Sequence, residues 1–167
     1  ARSGIGELTL IDLDEICVSN TNRQMHAISS HLGASKVQIM ADRARDINPD
    51  LIIHEYECFA TQDNLEEILV EPIDYVVDAI DSAGVKAAMI AHCRRRKIPI
   101  VTTGGAGGLI DPLKIEVADL SKTQHDALAA KVRSILKRHF GFSRSGKRFG
   151  VECVFSQEQA RYPQLDG

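Results

Sequence analysis

No segment of this chain approaches the roughly 20 consecutive apolar residues that a membrane-spanning helix needs. The start shows none of the basic, apolar and small-residue order of a secretory signal. The expectation is a cytoplasmic protein, with any membrane attachment assigned to a C-terminal segment outside these 167 residues. No C-x-x-C pair occurs among Cys17, Cys58, Cys93 and Cys153, which excludes a zinc knuckle and a dithiol redox motif. Most of the four are expected to be buried thiols in a reducing compartment. No charge sign dominates, with 20 Lys and Arg against 23 Asp and Glu, so bulk charge points to no partner. No Gly-Lys-Ser or Gly-Lys-Thr follows Gly104-Gly105-Ala106-Gly107-Gly108, so that run is not a phosphate-binding P-loop. Nor does any Ser-His-Asp or Cys-His-Asn order stand out. The sequence opens on Ala1-Arg2-Ser3-Gly4 without a methionine or a glycine-rich loop among these residues, and Gly4 and Gly6 read as the stop of an earlier helix.

What is present is an ordinary globular composition, 44% hydrophobic and 26% charged. Residues 1–167 are expected to form a single domain that buries roughly 70% of its unfolded surface. Glu7 to Asp12 reads as a short apolar strand. Val37, Met40, Ala41, Ala44 and Ile47 recur at three and four, which predicts a helix from Ser35 until Asn48-Pro49 ends it. Leu51–Tyr56 is the next strand, Asn64–Leu69 a helical stretch, and Asp74–Asp81 a buried parallel strand bounded by acids. Ala83–Arg96 follows as a helix with Ala87, Ile90 and Ala91 inward, and Ile98–Thr102 as a strand broken by the glycine run. The last third adds a strand at Ile115–Val117, a helix at Asp126–Phe140, a basic loop at Phe142–Arg148 and a strand at Val151–Phe155. This alternation predicts an α/β layered fold with a mostly parallel sheet.

Ligands of open α/β sheets sit beyond the carboxyl ends of the strands, which is where Asp12 and Asp81 fall, and both are expected to face one crevice. Asp12 suits acceptance from ribose hydroxyls; the alternative for Asp12 or Asp14 is an acid that caps the following turn. Arg23 offers a planar fork and Lys36 a compact ammonium, a combination suited to phosphate oxygens. Asn20, Asn22 and Gln24 lie too close together in a loop to be core residues, and their amides could complete hydrogen bonds to phosphate or base. Asp81 suits Mg²⁺, whereas Asp78 belongs in or near the sheet. Cys93 reads as packing, and Arg94, Arg95 and Arg96 as a solvated helix end beside the negative pole of its dipole. Lys131, Arg133, Lys137, Arg138, Arg144, Lys147 and Arg148 form the one basic stretch; on charge alone a solvated face is favoured over an RNA contact.

Leu10-Ile11-Asp12-Leu13-Asp14, then Asn20-Thr21-Asn22-Arg23-Gln24, Lys36, Ile47-Asn48-Pro49 and Asp78-Ala79-Ile80-Asp81 together resemble the ThiF/MoeB/HesA superfamily of E1-like adenylating enzymes. Cys93-Arg94-Arg95, the stretch Ile98–Gly108, Asp119–Thr123 and Gly150–Ser156 resemble its tRNA threonylcarbamoyladenosine dehydratase branch. The resemblance implies a Rossmann-like fold without its first β-α unit, and an ATP-dependent, ligase-like enzyme that adenylates the carboxylate of threonylcarbamoyladenosine 37 in tRNA and closes a ring. It implies that Asp12 binds the ATP ribose, with Asp14 and Gln24 in the same site, that Asn20, Arg23 and Lys36 meet the phosphates, and that Asp81 holds Mg²⁺. Arg23, Lys36 and Asp81 would carry the chemistry. Under it Lys131, Lys137, Arg138, Arg144, Lys147 and Arg148 become the tRNA side, since phosphate contacts dominate affinity for a polyanion. A homodimer and a sulfur-transfer partner of the cysteine desulfurase kind are implied as well; DNA is not.

Activation of the C-terminal glycine of a ubiquitin-like sulfur carrier is the alternative within the superfamily, disfavoured by the missing C-x-x-C pairs. A non-catalytic protein-binding module is opposed by the intact Asp12, Arg23, Lys36 and Asp81 set. A nicotinamide-dependent oxidoreductase has only the fold in its favour, because the Asn-x-Asn-Arg-Gln run supplies no hydride chemistry. The family's Gly-x-Gly-x-x-Gly loop, and an arginine lent across the dimer, are expected before Ala1. Calorimetry of the 167-residue chain with ATP should therefore show weak binding or none. Tight binding would remove the need for that loop.

Overall fold

A computed structural model describes residues 1–70 and 72–161. The backbone groups into two compact units, residues 1–60 and 61–167. In the first, the β-favouring run Glu7–Ile11 forms β1, and Ile52–Tyr56 forms β2. They pair in parallel, Glu7 opposite Ile52 and Ile11 opposite Tyr56. Asp12 N–H donates to the Tyr56 carbonyl at 3.2 Å, so the first acid stands where the ladder ends. Between the strands runs α1, Lys36–Ile47, which packs on both and buries Val37, Ala41 and Ala44. Met40 and Ile47 are only half-buried, because the core-facing stripe is narrower than their spacing suggests. Ser35 Oγ accepts from Gln38 N–H at 3.4 Å and opens the helix, and Asn48 before Pro49 closes it.

The second unit has a four-stranded sheet in the order β3 (Val76–Asp78), β4 (Ile100–Thr103), β6 (Glu152–Ser156), β5 (Ile115–Asp119). The first three are mutually parallel, and β5 runs antiparallel to β6 with Val117 opposite Val154. Helix α2 is the single turn Leu65–Ile68; α3, Ala83–Arg96, and α4, Ala127–His139, pack on each other, and α3 covers β3 and β4. The architecture is the α/β, Rossmann-like, mostly parallel arrangement that the sequence predicts. One strand is shorter than expected. β3 spans only Val76–Asp78, so Asp74 and Asp81 lie outside it.

Helix α3 departs from simple amphipathicity. Lys86 through Cys93 are all buried, as small alanines let neighbours close in around the helix. Among them Lys86 is 1% exposed, a position where periodicity would place an apolar side chain. Its Nζ donates to Asp78 Oδ2 at 2.9 Å, to Thr102 Oγ1 at 3.0 Å and to the Asp78 carbonyl at 3.3 Å. Thr102 Oγ1 donates to the same Asp78 oxygen at 2.7 Å, while Asp78 Oδ1 accepts from Ile80 N–H at 3.0 Å. Every polar atom of the group has a partner, the condition under which a buried charge pair is tolerable.

The glycine run serves packing. Gly105 N–H donates to Asp126 Oδ2 at 2.9 Å, and Asp126 Oδ1 caps α4 by accepting from Ala129 N–H at 2.7 Å. A Cβ on Gly104 would run into that carboxylate, so only glycine lets the chain pass. Replacing Lys86 by Met should leave the Asp78 carboxylate buried and unpaired, at a cost of about 3–5 kcal/mol in urea denaturation. An unchanged midpoint would show that the ion pair contributes nothing to stability.

Candidate functional site

Most of the candidate residues lie in the first unit, on the connection from β1 to α1. Asp12 Oδ1 accepts from Asp14 N–H at 2.8 Å, so the turn-capping alternative is realised; the other carboxylate oxygen is left for a ligand. Asp14 then binds Lys36 twice over. Lys36 Nζ sits 2.7 Å from Asp14 Oδ2, and Lys36 N–H donates to the Asp14 carbonyl at 3.1 Å. The lysine side chain is 12% exposed and the aspartate 56%, so the pair holds the ammonium at the first turn of α1 with its outer side reachable. A helix start adds its own positive end there, which favours an anion.

Asn20 corrects one expectation. It is 8% exposed, and its Oδ1 accepts from Cys17 N–H at 3.0 Å across the 3-10 turn Val18–Asn20. The turn folds the loop tightly enough to bury an amide that the sequence places in an open loop. Its carbonyl also accepts from the N–H groups of Arg23 and Gln24. Arg23 itself is exposed, donating Nη1 to the Ser19 carbonyl at 2.8 Å and to Asn22 Oδ1 at 3.0 Å. It has no acidic partner among the described residues, so its guanidinium remains available to an anion.

Two polar atoms here have no protein partner although they are buried, Gln24 Oε1 and His26 Nε2. Such atoms are expensive unless a water or ligand meets them. His26 was not singled out from the sequence, and its only signal was its place two residues beyond Gln24. Burial pushes its imidazole below the ordinary histidine value; the Lys36 ammonium pushes the same way, and Asp12 opposes both. His26 therefore senses the same two side chains proposed for phosphate and ribose.

In the second unit Asp81 is exposed three residues beyond Asp78. No group of three or more His, Cys, Asp or Glu side chains suited to a metal occurs among the described residues. A lone carboxylate fits Mg²⁺ nonetheless, since that ion keeps several waters and takes its remaining ligands from phosphate oxygens. Cys93 and Cys153 are buried, and burial pushes both thiols up to about 11, which makes them inert packing. Cys17 is exposed and Cys58 half-buried, so two of the four thiols, rather than most, are buried.

The basic residues divide by role. Arg133 donates to Thr123 Oγ1 and serves structure. Lys131 and Arg138 are exposed seven residues apart on one face of α4, Arg138 donating Nη2 to Ser134 Oγ at 2.9 Å. Lys137 Nζ lies 5.9 Å from the centroid of the Phe149 ring. Arg144 and Lys147 are exposed, and Arg148 Nε comes within 3.8 Å of Asp119 Oδ2. Asp119, part of the stretch that carries the family resemblance, anchors this loop. Its carboxylate accepts from Ser121 N–H at 3.0 Å, Phe149 N–H at 2.9 Å and Gly150 N–H at 2.8 Å. Burial pushes its carboxyl up, but these donors outweigh burial and hold it below the usual range.

The ThiF family model matches residues 1–135. The chain belongs to the ThiF family. It is 54% identical to the tRNA threonylcarbamoyladenosine dehydratase of Escherichia coli K12 over 168 aligned residues, which cover all of this chain and 63% of that protein. The crystal structure of the E. coli tRNA N6-threonylcarbamoyladenosine dehydratase in complex with ATP superimposes with a TM-score of 0.93 at 52% identity, covering 96% of this chain and 67% of that one. The E. coli molybdopterin-synthase adenylyltransferase is more distant, 31% identical over 61% of this chain and 41% of its own length. The chain thus spans about 63% of the length of the dehydratase it matches.

The electrostatics around His26 can be measured. Its imidazole should titrate below 6.5 in an NMR pH series, higher in Lys36→Met, where a repelling cation is gone, and lower in Asp12→Asn. Because the folded state resists protonation, His26 should subtract stability as pH falls through the unfolded value near 6.5. A His26 titration indifferent to both substitutions would separate it from the site.

Proposed function

We propose that this chain is the ATP-binding domain of an enzyme that adenylates the carboxylate of N6-threonylcarbamoyladenosine at position 37 of tRNA and cyclises it. The observation that carries the reading is the pairing of a secured cation with a free one, Lys36 held by Asp14 and Arg23 without an acid. The names of the relatives support the substrate, and the ATP-bound E. coli structure supports the nucleotide. The second reading, activation of a sulfur carrier's C-terminal glycine, has the lower identity and shorter alignment of the molybdopterin-synthase adenylyltransferase.

The chemistry asks for positioning and charge neutralisation rather than a protein nucleophile. The substrate carboxylate attacks the α-phosphorus, the bond to the β-phosphate oxygen breaks, and pyrophosphate leaves. Arg23 and Lys36 hold the phosphate oxygens as charge builds on them. Asp12 accepts from the ribose hydroxyls through its unused oxygen, with Asp14 fixing Lys36. Asn20 shapes the turn that presents Arg23, and Gln24 offers its unpartnered Oε1 to a donor on the ligand. Asp81 would hold Mg²⁺, which neutralises phosphate charge when bound. The ureido group of the same substrate then attacks the activated carbonyl, AMP departs with the bonding pair, and the attacking nitrogen gives up its proton. No cysteine is required, in keeping with the inert Cys93 and Cys153. The tRNA meets Lys131, Lys137, Arg138, Arg144, Lys147 and Arg148. The homodimer, the sulfur-transfer partner and the cytoplasmic location belong to this proposal on the family resemblance. Among the described residues no helix is long and apolar enough to cross a membrane.

Pyrophosphate exchange by the full-length protein should require tRNA carrying threonylcarbamoyladenosine, and should not respond to a ubiquitin-like carrier. The opposite preference would select the second reading. Arg23→Ala should cost about 2–4 kcal/mol of transition-state stabilisation, roughly 10²- to 10³-fold in rate, as for other preorganised charge donors. A near-normal rate would remove Arg23 from the mechanism.

A further inference from the structure

The last turns of α3 and α4 meet around an open cleft of about 380 Å³ lined by Ala91, Arg94, Arg95, His139, Phe140 and Phe142. That volume lies within the range of small-ligand sites. Cations at helix C-termini have a bland explanation, because they complement the dipole. Two features exceed it. Arg96 lies 3.4 Å from Glu66 and the exposed Arg148 3.8 Å from Asp119, but Arg94, Arg95, Lys137, Arg138, Arg144 and Lys147 have no acidic partner among the described residues. A dipole also calls for no aromatic lining, yet Phe140 and Phe142 stand half-buried in the wall.

The cleft is built rather than incidental. Asp119 fastens the backbone of Phe149 and Gly150, and this brings the end of the basic loop against α3. Gly150 adopts φ +68°, and the space a Cβ would fill is taken by the Arg94 guanidinium, 3.1–3.4 Å away. Phe142 meets Phe149 edge-on at 5.1 Å between centroids, and Lys137 Nζ lies over the Phe149 ring. A second cleft, lined in part by Ser82, Gly84, Val85 and Ile135, shares His139 and Phe140 with the first. Joined at that shared wall, the two form a groove along α3 whose lining runs from Ser82 to Arg94 and Arg95.

We propose that this groove carries single-stranded nucleotides of the tRNA, with a phosphate on Arg94 and Arg95 and an unstacked base against Phe140 and Phe142. The inference rests on the tRNA reading above and adds a site to it. Arginine forks suit phosphate, and aromatic faces take splayed bases of RNA loops. Lys137, Arg138, Arg144 and Lys147 continue the positive surface beyond the cleft.

The test is tRNA binding by the full-length protein, followed by fluorescence anisotropy across a salt series. Arg94→Ala/Arg95→Ala should weaken binding about tenfold or more and flatten the slope of log affinity against log salt by about one to two. Arg94→Lys/Arg95→Lys should keep the slope. Phe142→Leu should lose affinity about tenfold with the slope unchanged, as expected for lost stacking. ATP affinity should be equal in all variants, which shows that the fold is intact. Wild-type binding with no effect of the arginine or Phe142 changes would overturn the groove and leave the tRNA substrate standing. A wild-type protein that binds no tRNA at all would overturn both. Loss of binding to heparin or anionic vesicles but not to tRNA in the arginine variant would assign the cleft to another polyanion and overturn the proposal.

Discussion

Lys86 carries a positive charge into the interior of the larger unit, and what surrounds it depends on that charge being answered. Asp78 at the end of β3, Thr102 on β4 and the first turns of α3 are tied through one ammonium and one carboxylate oxygen. The arrangement has no slack, since displacing any member strands a buried polar group. It ends the strand at Asp78 and, through the bond from Ile80 N–H, shapes the exit that leaves Asp81 exposed. A residue suited to a metal ion is thus positioned by a buried pair that never touches it.

The smaller unit solves a related problem with partly solvated charges. Asp12 turns the chain at the end of β1, Asp14 takes Lys36, and the 3-10 turn around Asn20 presents Arg23 outward. Of the candidate cations, Arg23 stays free and Lys36 keeps its outer side for an anion. The unpartnered Gln24 Oε1 and His26 Nε2 mark where the protein alone does not satisfy its own polar atoms. An ordered water or a ligand atom would meet that cost.

Asp119 shows how one carboxylate organises a surface of the opposite sign. By accepting three backbone N–H groups it gathers a loop that would otherwise repel itself, and it brings Arg148 within ion-pair range. The basic stretch is legible as charge in the sequence, but its partner on α3 is not. Arg94 and Arg95 look like ordinary helix-end cations until Gly150 is seen to make room for one of them.

Much of the architecture was legible because it is set by near neighbours. The three- and four-residue spacing of α1, the helix starts near Ser35 and Asp126, and the apolar runs of β1, β4 and β6 are local, and the elements stand close to where they were expected. The motif that names the family is local too. Lys86, Asn20, His26 and Asp119 were misjudged or passed over for a shared reason. Their roles depend on partners or burial that only the folded chain supplies, as when Asp119 meets Phe149 thirty residues on. The sequence by itself determined the order of elements and the kinds of side chain offered to a nucleotide, because periodicity and capping act within a few residues. Tertiary structure alone decided which of those side chains are spent on the fold and which stay free, because burial and long-range hydrogen bonds exist only once distant segments meet.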